Sequence, residues 1–221
     1  MFTINRVDAP ISDLSKPDAP LWEQAQGLKV PLIPAPVAMQ PSVYVRSKWR
    51  DGQYGQLPEL RFQALHNGVD LAIRLVWEAA SLSQSRQDAP ADNDFFPDSA
   101  ALLFPMHPDA PIFMGLPGAP VCIWHWKANA EKRAAINTAE GIGSSRVLPA
   151  TDVTADSLWA DGYWQLVFSR RLVPEALPDA QPHFSTDGEI RTAFAVWDGL
   201  RQERAGMKAF SPNWTNCRLE P

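Results

Sequence analysis

Cysteine is almost absent from this sequence, with Cys122 and Cys217 the only two among 221 residues. Neither stands in a Cys-x-x-Cys spacing, so a thiolate metal site or redox pair is excluded; one disulfide is open to them, and two buried thiols are the expectation. No run of 18 apolar residues occurs, which leaves nothing to cross a membrane as a helix. An excess of basic charge is missing as well. Twenty Lys and Arg face 25 Asp and Glu for a net charge of −5, against the basic face that nucleic acid demands. The opening residues, MFTINRVDAPISDL, lack a basic region followed by an apolar core, so no signal peptide is read there. Taken alone, that points to the cytoplasm.

Catalytic signatures are absent too. No Gly-x-Gly-x-x-Gly follows a strand, and there is no phosphate loop, His-Glu-x-x-His or Gly-x-Ser-x-Gly. His107, His125 and His183 are isolated and read as structural or exposed, and His66 as a hydrogen-bonded turn residue. His125 points away from Trp124 and Trp126 and would need a partner histidine to hold a metal. The carboxylates are scattered, with no pair set as acid and base.

What the chain does have is proline, 21 residues spread along its length, and each one stops a helix or confines a strand to an edge. Residues 1–40 read as an irregular arm that ends in an extended piece, Leu28 to Ile33. Val43 to Trp49 alternates as a strand does. Asn67-Gly68 joins two alternating runs in the manner of a type I′ hairpin, and Leu71, Ile73, Leu75 and Trp77 then share one face. Ser81 to Ser99 is polar and reads as a surface loop. Short strands are expected at Ala100–Phe104, Val121–Lys127, Tyr163–Leu172 (after a second turn at Asp161-Gly162) and Ile190–Trp197. Asn129 to Ser145 reads as one helix around AEKRAAINTAE or as a solvated loop, and Leu200 to Lys208 as a polar loop before a closing segment, Phe210 to Leu219. Eight to ten short strands without βαβ alternation make an all-β, mostly antiparallel fold. The expectation is a single β-sandwich with long proline-rich loops and one or two short helices. Residues 1–40 form an N-terminal arm of the same unit and 41–221 the sandwich domain.

The chemistry concentrates in Phe104 to Ala128, FPMHPDAPIFMGLPGAPVCIWHWKA. Met106 and Met114 lie in a proline-punctuated loop ahead of an aromatic strand. A thioether held there can fill a gap in the core, its commoner use, or ligate an iron. Nine tryptophans raise a separate reading, a non-enzymatic carbohydrate-binding β-sandwich with aromatic platforms, although Trp77, Trp124, Trp126, Trp164 and Trp197 sit in strands where burial is usual.

Five stretches in order carry a resemblance: HNG and the strand to Trp77 at 66–77, FMG with PVCIWHWKA at 113–128, DGYWQLVFSRRL at 161–172, FAVWDG at 194–199 and GMKAFSPNW at 206–214. Over about residues 60–215 the chain resembles the gamma subunit of periplasmic molybdenum enzymes of the ethylbenzene dehydrogenase type. That group includes dimethyl sulfide dehydrogenase, chlorate and selenate reductases and steroid side-chain dehydrogenase. The resemblance implies a β-sandwich with one b-type heme, its iron held axially by a methionine and a lysine. The lysine maps to Lys208; the methionine maps to Met114, with Met106 its rival. Lys127 and Arg146 are candidates for pairing with the heme carboxylates. No Cys-x-x-Cys-His is present for covalent attachment.

The implied role is to relay electrons between the iron–sulfur clusters of a beta subunit and a soluble c-type cytochrome, with the molybdenum cofactor in a catalytic alpha subunit of the heterotrimer. The proline-rich arm and the Trp22 region would then be docking surface. The expected location is the periplasm, reached by co-export with a signal-bearing partner or after removal of a leader.

Overall fold

The Asn-Gly pair does turn the chain. The protein is described by a computed structural model over residues 1–80, 96–129 and 134–221, and there the pair joins antiparallel strands Glu59–His66 and Asp70–Glu78. Asn67 Oδ1 accepts from the backbone N–H groups of Val69 and Asp70 at 3.0 and 2.7 Å. Only Gly68 takes a left-handed φ, 91°, so Asn67-Gly68 does not form the expected type I′ turn, which needs both residues there. That geometry belongs instead to Asp161-Gly162, with φ of 53° and 82°.

Among the described residues the strands run, in chain order, β1 (Phe2–Arg6), β2 (Gly27–Pro31), β3 (Ile33–Pro34), β4 (Glu59–His66), β5 (Asp70–Glu78), β6 (Ser99–Pro105) and β7 (Val121–Lys127). They continue as β8 (Ala135–Ala139), β9 (Arg146–Val147), β10 (Thr154–Ala160), β11 (Tyr163–Arg171), β12 (Glu189–Trp197), β13 (Ala209–Phe210) and β14 (Thr215–Leu219). The order across the sheet is β10-β11-β5-β4-β1-β14-β12-β6-β7-β8-β9.

β1 is the seam. Phe2 to Ile4 pair in parallel with Cys217 to Leu219, and Asn5 and Arg6 then pair in parallel with Leu65 and His66. On either side of that seam the sheet folds back on itself as a sandwich. Rings from β4, β5 and β11 meet rings from β6, β7 and β12: Phe62 lies 5.2 Å from Phe194, Trp126 lies 5.0 Å from Trp164, and Trp77 lies 6.1 Å from Trp126. Truncating a buried ring of this size to alanine typically costs about 3–5 kcal/mol. The protein is all-β in class, as its alternating strands foretell.

Several local expectations fail, each for a visible reason. Val43–Lys48 is a short helix, not a strand. Ser42 caps it by accepting from Val45 N–H, while Val43 and Tyr44 are about 70% exposed; the alternation is real but no neighbouring strand exploits it. Ala135–Ala139 is a strand, where a helix or loop was expected. Ile136 is fully buried and pairs across β7 with Trp124, so the exposed edge of β7 captured the segment. The charged start of the expected helix, and the polar loop over most of 81–99, lie outside the described residues. The arm is not irregular, since it supplies β1, and Trp22 is 2% exposed, its indole N–H donating to Lys16 O at 2.9 Å. A tryptophan so enclosed offers no docking surface. Both cysteines are buried free thiols.

Candidate cofactor site

The two faces of the β12-β6-β7-β8 layer differ in side-chain size. Inward positions carry Phe194, Leu102, Phe104, Trp124, Trp126 and Ile136, all in the core. Outward, the register sets Ala193, Leu103, Ile123 and Asn137 in one row and Ala195, Ala101 and His125 in the next. A third row aligns Trp197, Ser99 and Lys127. Three alanines on adjacent strands leave a hollow where a usual sheet face would fill itself. Loops around 35–41, 112–114, 142–145 and 203–206 roof it, enclosing a cavity of about 430 Å³ with mostly apolar walls. That lies within the roughly 300–1,000 Å³ of small-molecule sites.

Met114 and Lys208 both line this cavity; Met106 does not. Met106 packs against the main core, its N–H donating to Pro120 O at 3.0 Å. Met114 holds a left-handed φ of 69°, a conformation that costs a non-glycine residue about 1–3 kcal/mol and persists only when its surroundings impose it. They do: its N–H donates to Ile112 O at 2.9 Å, its carbonyl accepts from Gly141 N–H at 2.7 Å, and Gly115 N–H reaches Pro111 O at 3.0 Å.

Gly115 has φ of 71°, and a Cβ there would stand 2.7 Å from Ala119 O and 2.9 Å from Ala139 O. Gly115→Ala is therefore expected to lower unfolding free energy by about 2 kcal/mol or more in denaturant titrations. Gly118→Ala, with φ of 81° but open space around its Cβ, should cost only about 1 kcal/mol. Equal losses would show that the collision is not what fixes the Met114 loop.

Lys208 reaches the cavity from a different element. β13 pairs Phe210 with Ala195 and Ala209 with Val196, so the next step of that ladder sets Lys208 beside Trp197. Its Nζ stands 4.9 Å from the Trp197 ring centre, and its carbonyl accepts from Ala35 N–H at 2.9 Å. Loss of solvent around the ammonium pulls its pKa down to about 8. His125, whose ring lies 5.3 Å from that of Trp197, is pulled down to about 4, first by burial and then by the positive Lys127 and Lys208. It is a neutral wall residue at neutral pH.

Lys127 lines the rim and is exposed, whereas Arg146 lies on β9 outside the lining. Sequence reasoning passed over Arg204, which lines the cavity with its guanidinium 4.4 Å from the Phe96 ring centre. It also passed over Asn137, whose Nδ2 donates to Ser145 Oγ at 3.2 Å while its buried Oδ1 has no partner. Glu203, 3% exposed, accepts from Gly55 N–H at 2.6 Å and from Asp198 N–H at 3.0 Å. Burial raises its pKa against the pull of those two donors. Among the described residues no three His, Cys, Asp or Glu side chains are grouped to hold a bare metal ion.

A sequence profile for the family described as ethylbenzene dehydrogenase matches residues 19–146 and 134–209. The chain belongs to that family. Its relatives include the chlorate reductase subunit gamma of Ideonella dechloratans, 28% identical over 94% of this chain and 80% of the relative. The dimethylsulfide dehydrogenase subunit gamma of Rhodovulum sulfidophilum is 30% identical, over 93% and 75%. ORF7 of Haloferax mediterranei, which bears the name of a respiratory nitrate reductase heme subunit, is 29% identical over 93% and 68%. Among solved structures, a Bacteroides uniformis protein assigned to carbohydrate binding covers 99% of both chains with a TM-score of 0.55 and 12% identity. A family 9 carbohydrate-binding module from Caldicellulosiruptor kristjanssonii, solved with glucose, gives a TM-score of 0.50 at 7% identity, covering 99% of this chain and 95% of its own. These likenesses show a shared fold and nothing of the site. Among the described residues no helix is long and apolar enough to cross a membrane.

Proposed function

We propose that this family member is the electron-transfer subunit of an oxidoreductase complex and carries one non-covalent b-type heme between Met114 and Lys208. The observation that supports it is one cavity over an alanine floor, lined by a thioether and a desolvated amine that lie 94 residues apart in sequence. A macrocycle that brings its own four ligands needs only two from the protein, and these suit it.

When bound, the heme supplies a one-electron couple. The chain's own residues do the rest. Met114 presents a neutral sulfur, which in cytochromes favours the reduced state. Lys208 must be neutral to donate its lone pair, and the dry environment that lowers its pKa to about 8 meets part of that requirement before any metal arrives. Were Met114 and Lys208 both to hold the heme iron, small molecules would find no open position, and the subunit would relay electrons without catalysing. Lys127 and Arg204 bring positive charge to the lining, as heme carboxylates need, and the unpaired amide atom of Asn137 is free for an occupant. Neither cysteine lines the cavity, and burial pushes both thiols up to about 12, so attachment is not covalent.

In this reading, an iron–sulfur beta subunit and a molybdenum-bearing alpha subunit complete a heterotrimer in the periplasm, with a soluble c-type cytochrome as electron partner. The carbohydrate-binding alternative is less well supported. Its platforms would be tryptophans, and five of the nine are buried and the other four half-buried. The purified chain mixed with hemin should take up one equivalent, show a Soret band with sharp α and β bands on reduction, and release the pigment into acidified acetone. A chain that stays colourless while retained on polysaccharide would sink this proposal.

A further inference from the structure

We infer that Glu203 is a positioning residue that holds Lys208 at the cavity wall by tying together the two elements on either side of it. The inference rests on the reading of Lys208 as an axial ligand. One carboxylate oxygen accepts from Gly55 N–H at 2.6 Å and the other from Asp198 N–H at 3.0 Å.

Each contact leads to a different side of Lys208. Gly55, at φ of 62°, is wedged so tightly that a Cβ would stand 2.8 Å from Lys208 O and 2.6 Å from Pro34 Cα. The same Lys208 carbonyl takes Ala35 N–H, and Ala35 O in turn takes the Tyr54 hydroxyl at 2.7 Å. Asp198 directly follows Trp197, whose ring lies under the Lys208 amine and whose indole N–H closes the loop by donating to Ala205 O at 3.0 Å. Glu203 thus fastens both the peptide that carries the amine and the plate on which the amine rests.

Two acceptors are required, because both partners are backbone N–H groups. A glutamine offers one oxygen and turns an NH₂ toward the other N–H, leaving a buried donor unpaired. A ligand displaced by about 1 Å is enough to weaken ligation, as positioned groups elsewhere show.

The test uses the full chain loaded with hemin and compares Glu203→Gln, Lys208→Ala and the double variant. Readouts are the low-spin fraction in the absorption spectrum and the affinity of the reduced protein for carbon monoxide. Lys208→Ala should lose the low-spin spectrum. Glu203→Gln should bind one heme per chain, show a mixed-spin spectrum, and bind carbon monoxide at least about tenfold more tightly than the unaltered chain. In the double variant, Glu203→Gln should add nothing to the effect of Lys208→Ala, since coupled residues do not sum. Should Glu203→Gln not fold, Glu203→Asp, which keeps the charge but reaches less far, gives the same comparison. A Glu203 variant with unaltered spectrum and carbon monoxide affinity, beside an altered Lys208→Ala, overturns the positioning role alone. An effect of undiminished size in the Lys208→Ala background does the same. An unaltered spectrum in Lys208→Ala overturns the ligand reading itself, and this inference with it.

Discussion

Lys208→Met in the heme-free chain is expected to raise stability at pH 7 by about 2 kcal/mol, an effect that fades as the pH approaches 10.5. The folded ammonium has a pKa of about 8 through loss of solvent, whereas in the unfolded chain it returns to about 10.4. Between those values the unfolded chain binds more protons, so stability climbs with pH; below the lower value the whole cost of the buried charge is present. The shift corresponds to at most about 3 kcal/mol, from which the Trp197 contact and residual hydration return about 1 kcal/mol. Methionine has a similar length and no charge to bury. Denaturant titrations of both chains at pH 7, 9 and 10.5 check this. A constant difference across that range would mean that the amine is not desolvated where the structure sets it. In the proposed heme site the same cost would favour ligation, because a metal takes the neutral amine.

A paired substitution separates the two methionines. Met114→Leu in the heme-loaded chain should abolish the six-coordinate low-spin spectrum and lower the reduction potential, with stability changed by less than about 1.5 kcal/mol, as befits a volume-conserving swap. Met106→Ala should behave in the opposite way. It deletes a side chain packed against the main core, at a cost of about 2–4 kcal/mol, while the spectrum stays as it was. Potentiometric titration and thermal unfolding of each variant read both quantities. If Met106→Ala alters the spectrum and Met114→Leu does not, the assignment is reversed and the cavity is not the site.

The sequence declared its strands wherever two faces differed in kind. Leu71, Ile73, Leu75 and Trp77 on β5, and Trp164, Leu166 and Phe168 on β11, were legible because large apolar side chains recur there at every second position. The reading failed where neighbours decided the outcome. Ala135 to Ala139 has helix-compatible residues and became a strand because β7 offered it an open edge beside Trp124. Val43 to Lys48 alternates like a strand and, lacking such an edge, coiled behind the Ser42 cap.

The site was even less visible. A hollow made by Ala101, Ala193 and Ala195 leaves no signal, because alanine is common and its effect depends on which strands lie side by side. Lys208 reads as an ordinary surface lysine, and only the resemblance singled it out. Glu203 and Asn137 matter through contacts with Gly55, Asp198 and Ser145, none of which lies next to them in sequence.

The parallel seam at β1 imposes a timetable on the making of this protein. Phe2 must find Cys217 across 215 residues of chain, and such distant pairings are slow to form because the intervening loop must first be closed. On the ribosome, β1 therefore waits for β14 to emerge before the halves can lock. Met114 and its loop would be synthesised well before Lys208, so half of the pocket exists for a time without the other. If heme binds as proposed, its insertion would follow the synthesis of residue 208, and a translation arrest anywhere before that residue should yield nascent chains that bind none.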